Sequence, residues 1–127
     1  MRLLLDTHIF IWACVEPERL SPIEQIEIAS PDNQVLVSAA TAWEISIKEA
    51  LGRLDFPVDR LQEFLDRLGF EPLAMSLTHA TLAGQLPRHH EDPFDRMLIA
   101  QASIESLTLV SRDSLFARYG LKGLGRR

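Results

Sequence analysis

Short apolar runs alternate along this chain with longer stretches of helical character. Strands are predicted at Arg2–Leu5, Gln34–Ser38, Phe70–Met75 and Thr108–Ser111, with a short fifth around Leu121–Leu124. These runs are continuously apolar rather than cleanly alternating, which is the pattern of parallel strands covered on both faces. Helices are predicted between them at Thr7–Val15, Pro22–Ala29, Ala39–Leu51, Val58–Leu68, Thr78–Leu86 and Pro93–Glu105, and a short one at Ser114–Tyr119. The punctuation agrees. Ser21 caps, Pro22 takes the first turn and Glu24 completes a capping box. Gly52, Gly69 and Gly120 follow helix ends, and Pro87 stops the fifth helix. Strand–helix alternation implies the α/β class, a layer sandwich built on a central parallel sheet of four to five strands. Phe10, Trp12, Trp43 and Phe94 are expected in the core, and Gly123–Arg127 as a loose tail.

Composition narrows the classes. The chain has 127 residues, 46% hydrophobic and 24% charged, which fits one globular domain over 1–127 and excludes disorder. Its apolar runs are too short to span a bilayer, so no membrane role is expected. Asp6 interrupts the N-terminal run too early for a signal-peptide core. One cysteine, Cys14, permits no internal disulfide, which fits a reducing cytoplasm. The net charge of −5 argues against a simple electrostatic nucleic-acid binder. Eleven of the thirteen basic residues are arginines, side chains that grip phosphate bidentately.

Four acids change this picture. Asp6 closes the run Leu3-Leu4-Leu5, and Asp113 follows Leu109-Val110-Ser111-Arg112. Glu44 interrupts the apolar and small-residue stretch from Val35 to Ile47, and Asp95 lies in the first turn of the helix at Pro93. In open α/β sheets ligands bind beyond the carboxyl ends of the strands, where Asp6 and Asp113 fall. Glu44 and Asp95 can start from the same side. Carboxylates are rarely buried without a partner, and hard oxygen ligands suit Mg²⁺ or Mn²⁺.

Each acid also has a plainer reading. Asp6 and Asp113 can be helix N-caps. Asp95 can serve the helix dipole behind the cap Asp92, and Glu44 can pair with Lys48 four residues on. The conjunction of four, each beside apolar sequence, favours a shared site. Thr7, Ser38 and Ser111 are placed to support it, and Arg96 or Arg112 to meet a phosphate or form a salt bridge. His89-His90-Glu91-Asp92 lacks a second ligand pair at zinc spacing and reads as a solvated loop. His8 and His79 are lone, on a helix surface or satisfied in the core. Cys14 reads as packing.

The ordered set Leu4-Leu5-Asp6-Thr7-His8, Val37-Ser38 through Trp43-Glu44-Ile45, His90-Glu91-Asp92-Pro93-Phe94-Asp95-Arg96 and Leu109-Val110-Ser111-Arg112-Asp113 resembles PIN-domain ribonucleases, specifically toxins of the VapC type. The resemblance implies a PIN-like three-layer sandwich, with Asp6, Glu44, Asp95 and Asp113 as catalytic and metal-binding residues for Mg²⁺ or Mn²⁺. It also implies an RNA substrate, homodimerisation and inhibition by a cognate antitoxin protein. The Gly-rich, basic C-terminus departs from such relatives, which tend to end near a hydrophobic or Trp-containing last strand. Two other functions are open. A phosphoacceptor receiver domain would need adjacent acids after the first strand and a Lys after a late strand, and here Thr7 follows Asp6. A catalytically idle PIN fold serving as a binding protein is the second.

Overall fold

The structure, a computed structural model, describes residues 1–124; Gly125–Arg127, the greater part of the expected tail, lie outside the described residues. Four strands are present: β1 (Arg2–Leu5), β2 (Gln34–Ser38), β3 (Glu71–Leu73) and β4 (Thr108–Val110). All are parallel, in the order β3-β2-β1-β4. The helices are α1 (Thr7–Val15), α2 (Pro22–Ala29), α3 (Ala39–Ala50), α4 (Leu61–Leu68), α5 (Leu77–Gln85) and α6 (Pro93–Glu105).

The continuous apolar strands do face two cores. Leu3, Leu5, Val35, Val37 and Val110 pack on one face with Phe10, Phe56, Phe64 and Phe70. Leu4, Leu36 and Leu109 pack on the other with Leu98, Ile99 and Phe116. The odd and even positions of a strand point to opposite faces, so burying both demands apolar residues at every position. Each fully buried Leu side chain is worth roughly 1.5–3 kcal/mol. Tilted aromatic contacts between Phe10 and Phe56, and between Phe56 and Phe64, tie α1 and α4 together under the sheet.

Several predicted bounds shift for physical reasons. β3 is shorter than Phe70–Met75. It is an edge strand, and Pro72 at its centre has no N–H to extend a ladder. The expected fifth strand shrinks to a single bridge between Leu109 and Gly123, in a segment too rich in glycine to favour extended pairing. The Val58–Leu68 helix opens with a 3-10 turn over Val58–Arg60, and Ser114–Tyr119 is 3-10 throughout. A further 3-10 turn at Pro17–Arg19 was not anticipated. No helix among the described residues is long and apolar enough to cross a membrane.

The topology sets the position of the site. From β1 the chain moves outward through β2 to β3, then returns to pair β4 on the other side of β1. The strand order therefore reverses between β1 and β4, where side connections splay apart and leave a crevice. The Asp6 amide closes the floor of that crevice by bonding the Val110 carbonyl at 3.0 Å.

Candidate active site

Asp6 leaves β1 and caps α1. Its Oδ1 accepts from the Ile9 amide at 2.9 Å. The residue is only 7% exposed. Burial pushes its carboxyl above the usual carboxylate range; hydrogen bonds from Ser111 and Ile9 oppose this, and the charge of Asp113 adds to it.

Glu44 projects from α3, where the chain buries Thr41, Glu44 and Ile45 along one stripe. Its Oε1 accepts from the Thr7 hydroxyl at 2.6 Å, and its Oε2 meets Lys48 Nζ at 2.6 Å. Helical i,i+4 spacing places that ammonium beside a buried carboxylate. The bond to Glu44 holds Lys48 protonated to higher pH than usual, helped by the charges of Asp92 and Asp95.

Asp92, rather than Asp95, caps α6. Its Oδ1 accepts from the Phe94 and Asp95 amides at 2.8 and 3.2 Å. The Asp95 carboxyl is pushed up to about 7, first by burial and then by Asp92, with smaller contributions from Glu44 and Asp6; His90 opposes the rise. Asp113 caps the 3-10 turn after β4 through Oδ1, which accepts from Leu115 at 2.9 Å.

His90 joins two of these acids, and here the sequence reading is corrected: the His89–Asp92 segment is not simply a solvated loop. The His90 ring is 11% exposed and stacks on Phe116. Its Nδ1 accepts from the Asp92 amide at 3.2 Å, so Nε2 carries a proton and donates. That nitrogen lies 2.9 Å from Asp113 Oδ2 and 3.1 Å from Asp95 Oδ2. The His90 carbonyl accepts from Arg96 and its amide donates to the Tyr119 hydroxyl. The available signal was position: a histidine two residues ahead of the cap of an acid-bearing helix.

Other assignments resolve as well. Arg96 is buried and donates to the carbonyls of Leu86, Pro87 and His90 at 2.9, 3.2 and 3.0 Å, so it clamps the loop and is not turned to a phosphate. Arg112 pairs with Glu24 at 2.7 Å. Phe10 is core, whereas Trp43 is 56% exposed and packs edge-on against Phe94, and Trp12 is half-buried. His79 is satisfied in the core, 3.0 Å from Glu105. Burial pushes the Cys14 thiol up to about 12, as for a packing residue.

All four predicted acids, together with Lys48 and Arg112, line one pocket of about 310 Å³. At its edge, ligand atoms of His90, Asp95 and Asp113 lie within 4.8 Å of one another; Asp6 and Glu44 do not join that tighter group. The donor set suits a divalent cation. It is oxygen-rich, and its carboxylates raise one another's affinity for positive charge, as Asp95 records. Both Glu44 oxygens already have partners, which suits orienting as well as binding.

The PIN domain family pattern matches residues 3–122. No curated protein sequence matches. Among solved structures the chain is similar to VapBC2 from Rickettsia felis bound to a DNA fragment from its promoter, at 20% identity and a TM-score of 0.70, covering 96% of each chain. It is also similar to VapBC-1 of nontypeable Haemophilus influenzae, at 19% identity and a TM-score of 0.67, covering 97% of this chain and 96% of that one. FitAcB from Neisseria gonorrhoeae aligns over 97% of this chain and 96% of its own, at 21% identity and a TM-score of 0.62.

Proposed function

The chain belongs to the PIN-domain family, and we propose that it is a Mg²⁺- or Mn²⁺-dependent endoribonuclease acting as the toxin of a VapBC-type toxin–antitoxin pair. The observation that carries this reading is the gathering of Asp6, Glu44, Asp95 and Asp113, from four distant stretches of sequence, around one pocket at the reversal point of the sheet. The similarity to VapBC and FitAcB proteins supports the toxin role.

When bound, the metal supplies an acidified water and a positive charge that offsets the developing charge on the phosphodiester. Asp6, Asp95 and Asp113 would hold it. Glu44, fixed by Thr7 and Lys48, orients the attacking water by accepting a hydrogen bond. His90 sets the spacing of Asp95 and Asp113 through its Nε2 proton. The capping bonds of Asp6 and Asp113 hold both carboxylates in one rotamer, so little ordering is left for the bound state.

The partners follow the same reading: an RNA substrate, a second copy of the chain in a homodimer, and a cognate antitoxin whose basic side chain approaches the carboxylates. A receiver domain fits less well. Lys48 lies on α3 and is committed to Glu44, with no lysine at the end of β4.

The test is direct. The purified protein, freed of partner, should cleave RNA with Mg²⁺ or Mn²⁺ and stop in EDTA. Cleavage that persists in chelator would sink the metal mechanism, and a protein harmless on expression alone would remove the toxin reading.

A further inference from the structure

Beside the acids the pocket has a wall of different chemistry. Trp12 and Arg112 both line it. The Arg112 guanidinium carbon lies 4.7 Å from the centre of the Trp12 ring, and that of Arg19 lies 5.0 Å from it. Such stacks occur as plain packing, worth about 0.5–1 kcal/mol at exposed sites. Three further features point to a ligand.

Arg112 is held by groups that leave one edge over. Its Nη2 donates to the Arg19 carbonyl at 2.6 Å and to Glu24 Oε1 at 2.7 Å, and its Nε reaches Glu24 Oε2 at 3.4 Å. Nη1 has no partner among the described residues. The buttress is firm, since Glu24 is buried and is itself fixed by the Ser21 amide at 2.7 Å.

Charge is the second feature. The chain carries −5 overall, and its pocket is ringed with carboxylates that repel a polyanion. Lys48 and Arg112 are the Lys and Arg residues lining the pocket among the described residues. The Lys48 ammonium is committed to Glu44. Lys48 keeps N–H donors beyond its bond to Glu44, but Arg112 is the one of the two that also stacks on Trp12.

The third is placement. Arg112 immediately precedes Asp113, and both line the pocket together with Asp6. A phosphate on Nη1 would therefore sit next to the acids, and a base attached to it would reach the Trp12 face.

We propose that Trp12, Arg112 and Arg19 form a subsite for one unpaired RNA nucleotide next to the scissile bond, with its base against the Trp12–arginine stack and its phosphate on Nη1 of Arg112. This rests on the nuclease reading above and names the residues that would hold one nucleotide of its substrate strand. Aromatic and arginine planes accept bases only where the strand is unstacked. Arg19 is the movable member. It is 55% exposed and held to Glu16 only at 3.6 Å.

The experiment uses the two tryptophans. Trp43 lies outside the pocket, so Trp43→Phe leaves Trp12 as the sole tryptophan, excited selectively at wavelengths where Tyr119 does not absorb. In that background with Asp6→Asn to suppress turnover, an eight-nucleotide oligouridylate should quench Trp12 saturably, and the same oligonucleotide in an oligoadenylate duplex should not. Trp12→Leu should weaken binding, followed by oligonucleotide anisotropy, by about tenfold or more, whereas Trp12→Phe, which keeps a ring face, stays within a few-fold. Arg112→Lys keeps the charge but loses the fork and should weaken binding by about tenfold. Thermal midpoints confirm that each variant is folded. Equal quenching by duplex, or unchanged affinity in both Trp12→Leu and Arg112→Lys while wild type still cleaves RNA, overturns the subsite and leaves the nuclease standing. If those variants weaken a copurified antitoxin complex but not RNA binding, the wall is a protein-docking surface and the proposal fails. If wild type neither cleaves nor binds RNA, the nuclease reading fails and the subsite with it.

Discussion

His90 donates from Nε2 to Oδ2 of Asp113 across 2.9 Å, joining the loop before α6 to the turn after β4. The same nitrogen lies 3.1 Å from Asp95. Two carboxylates from opposite ends of a long connection thus share one donor. A single N–H placed between anions partly fills the electrostatic role of a cation.

His90→Ala should therefore behave differently with and without a divalent ion. Without metal it leaves Asp95 and Asp113 facing each other with no donor between them, a loss of about 1–3 kcal/mol. With saturating Mn²⁺ the ion takes over the neutralising role and the loss should shrink. Thermal unfolding in EDTA and in Mn²⁺ measures both. An equal loss in the two conditions would make His90 merely a packing residue on Phe116.

Asparagine substitutions separate capping from charge. Asp6→Asn keeps the acceptor for the Ile9 amide and should retain wild-type stability or gain slightly, because one buried carboxylate is removed. Asp113→Asn keeps the acceptor for Leu115 but turns its NH₂ toward the His90 N–H. It should lose about 1 kcal/mol. Both should lose the Mn²⁺-induced rise in melting temperature and the RNA cleavage. If both keep the full Mn²⁺ shift and activity, these residues are caps alone.

The capping and metal readings of Asp6 and Asp113 looked like alternatives in the sequence; the structure shows the caps and leaves both residues on the pocket wall, so the two are compatible. Each uses Oδ1 for the cap and still borders the pocket. Glu44 likewise pairs with Lys48 while lining the site. These positions were legible because strand ends and helix starts have local signatures, and the α/β order places strand ends together. His90 was not legible. Its role depends on Phe116 beneath it and Asp113 beside it, both more than twenty residues away. Trp43 was misjudged for a related reason: an apolar stretch locates a helix but not the edge of its buried stripe. The fifth strand failed where glycine made local pattern weakest.

Lys48→Met tests the pairing with Glu44. It strips one partner from a carboxylate whose side chain is 6% exposed, but Lys48 itself is 42% exposed. The loss should be about 1–2 kcal/mol, below the roughly 3–5 kcal/mol for breaking a fully buried pair. Adding Glu44→Gln should restore much of it, since no charge is then left unpaired. Urea unfolding of the two singles and the double gives the coupling. Additive losses would show that the 2.6 Å contact contributes nothing.

Asp95 predicts a pH dependence with a definite sign. Its folded carboxyl is raised from 3.8 to about 7, so between these values the folded protein holds a proton that the unfolded chain has released. The contribution to stability is fully present below pH 3.8 and is lost as pH rises to about 7. Asp95→Asn should flatten the metal-free stability curve across that window. Metal binding runs in the opposite sense, because a divalent ion must displace the Asp95 proton. Mn²⁺ affinity should therefore rise with pH until about 7 and then level off. Calorimetry in buffers of different ionisation heat would detect proton release on binding at about pH 6 and little at about pH 8, on either side of that value. A metal-free stability profile that is identical in wild type and Asp95→Asn, with no proton release at either pH, would mean that Asp95 is ionised throughout and that its neighbours do not act on it as one cluster.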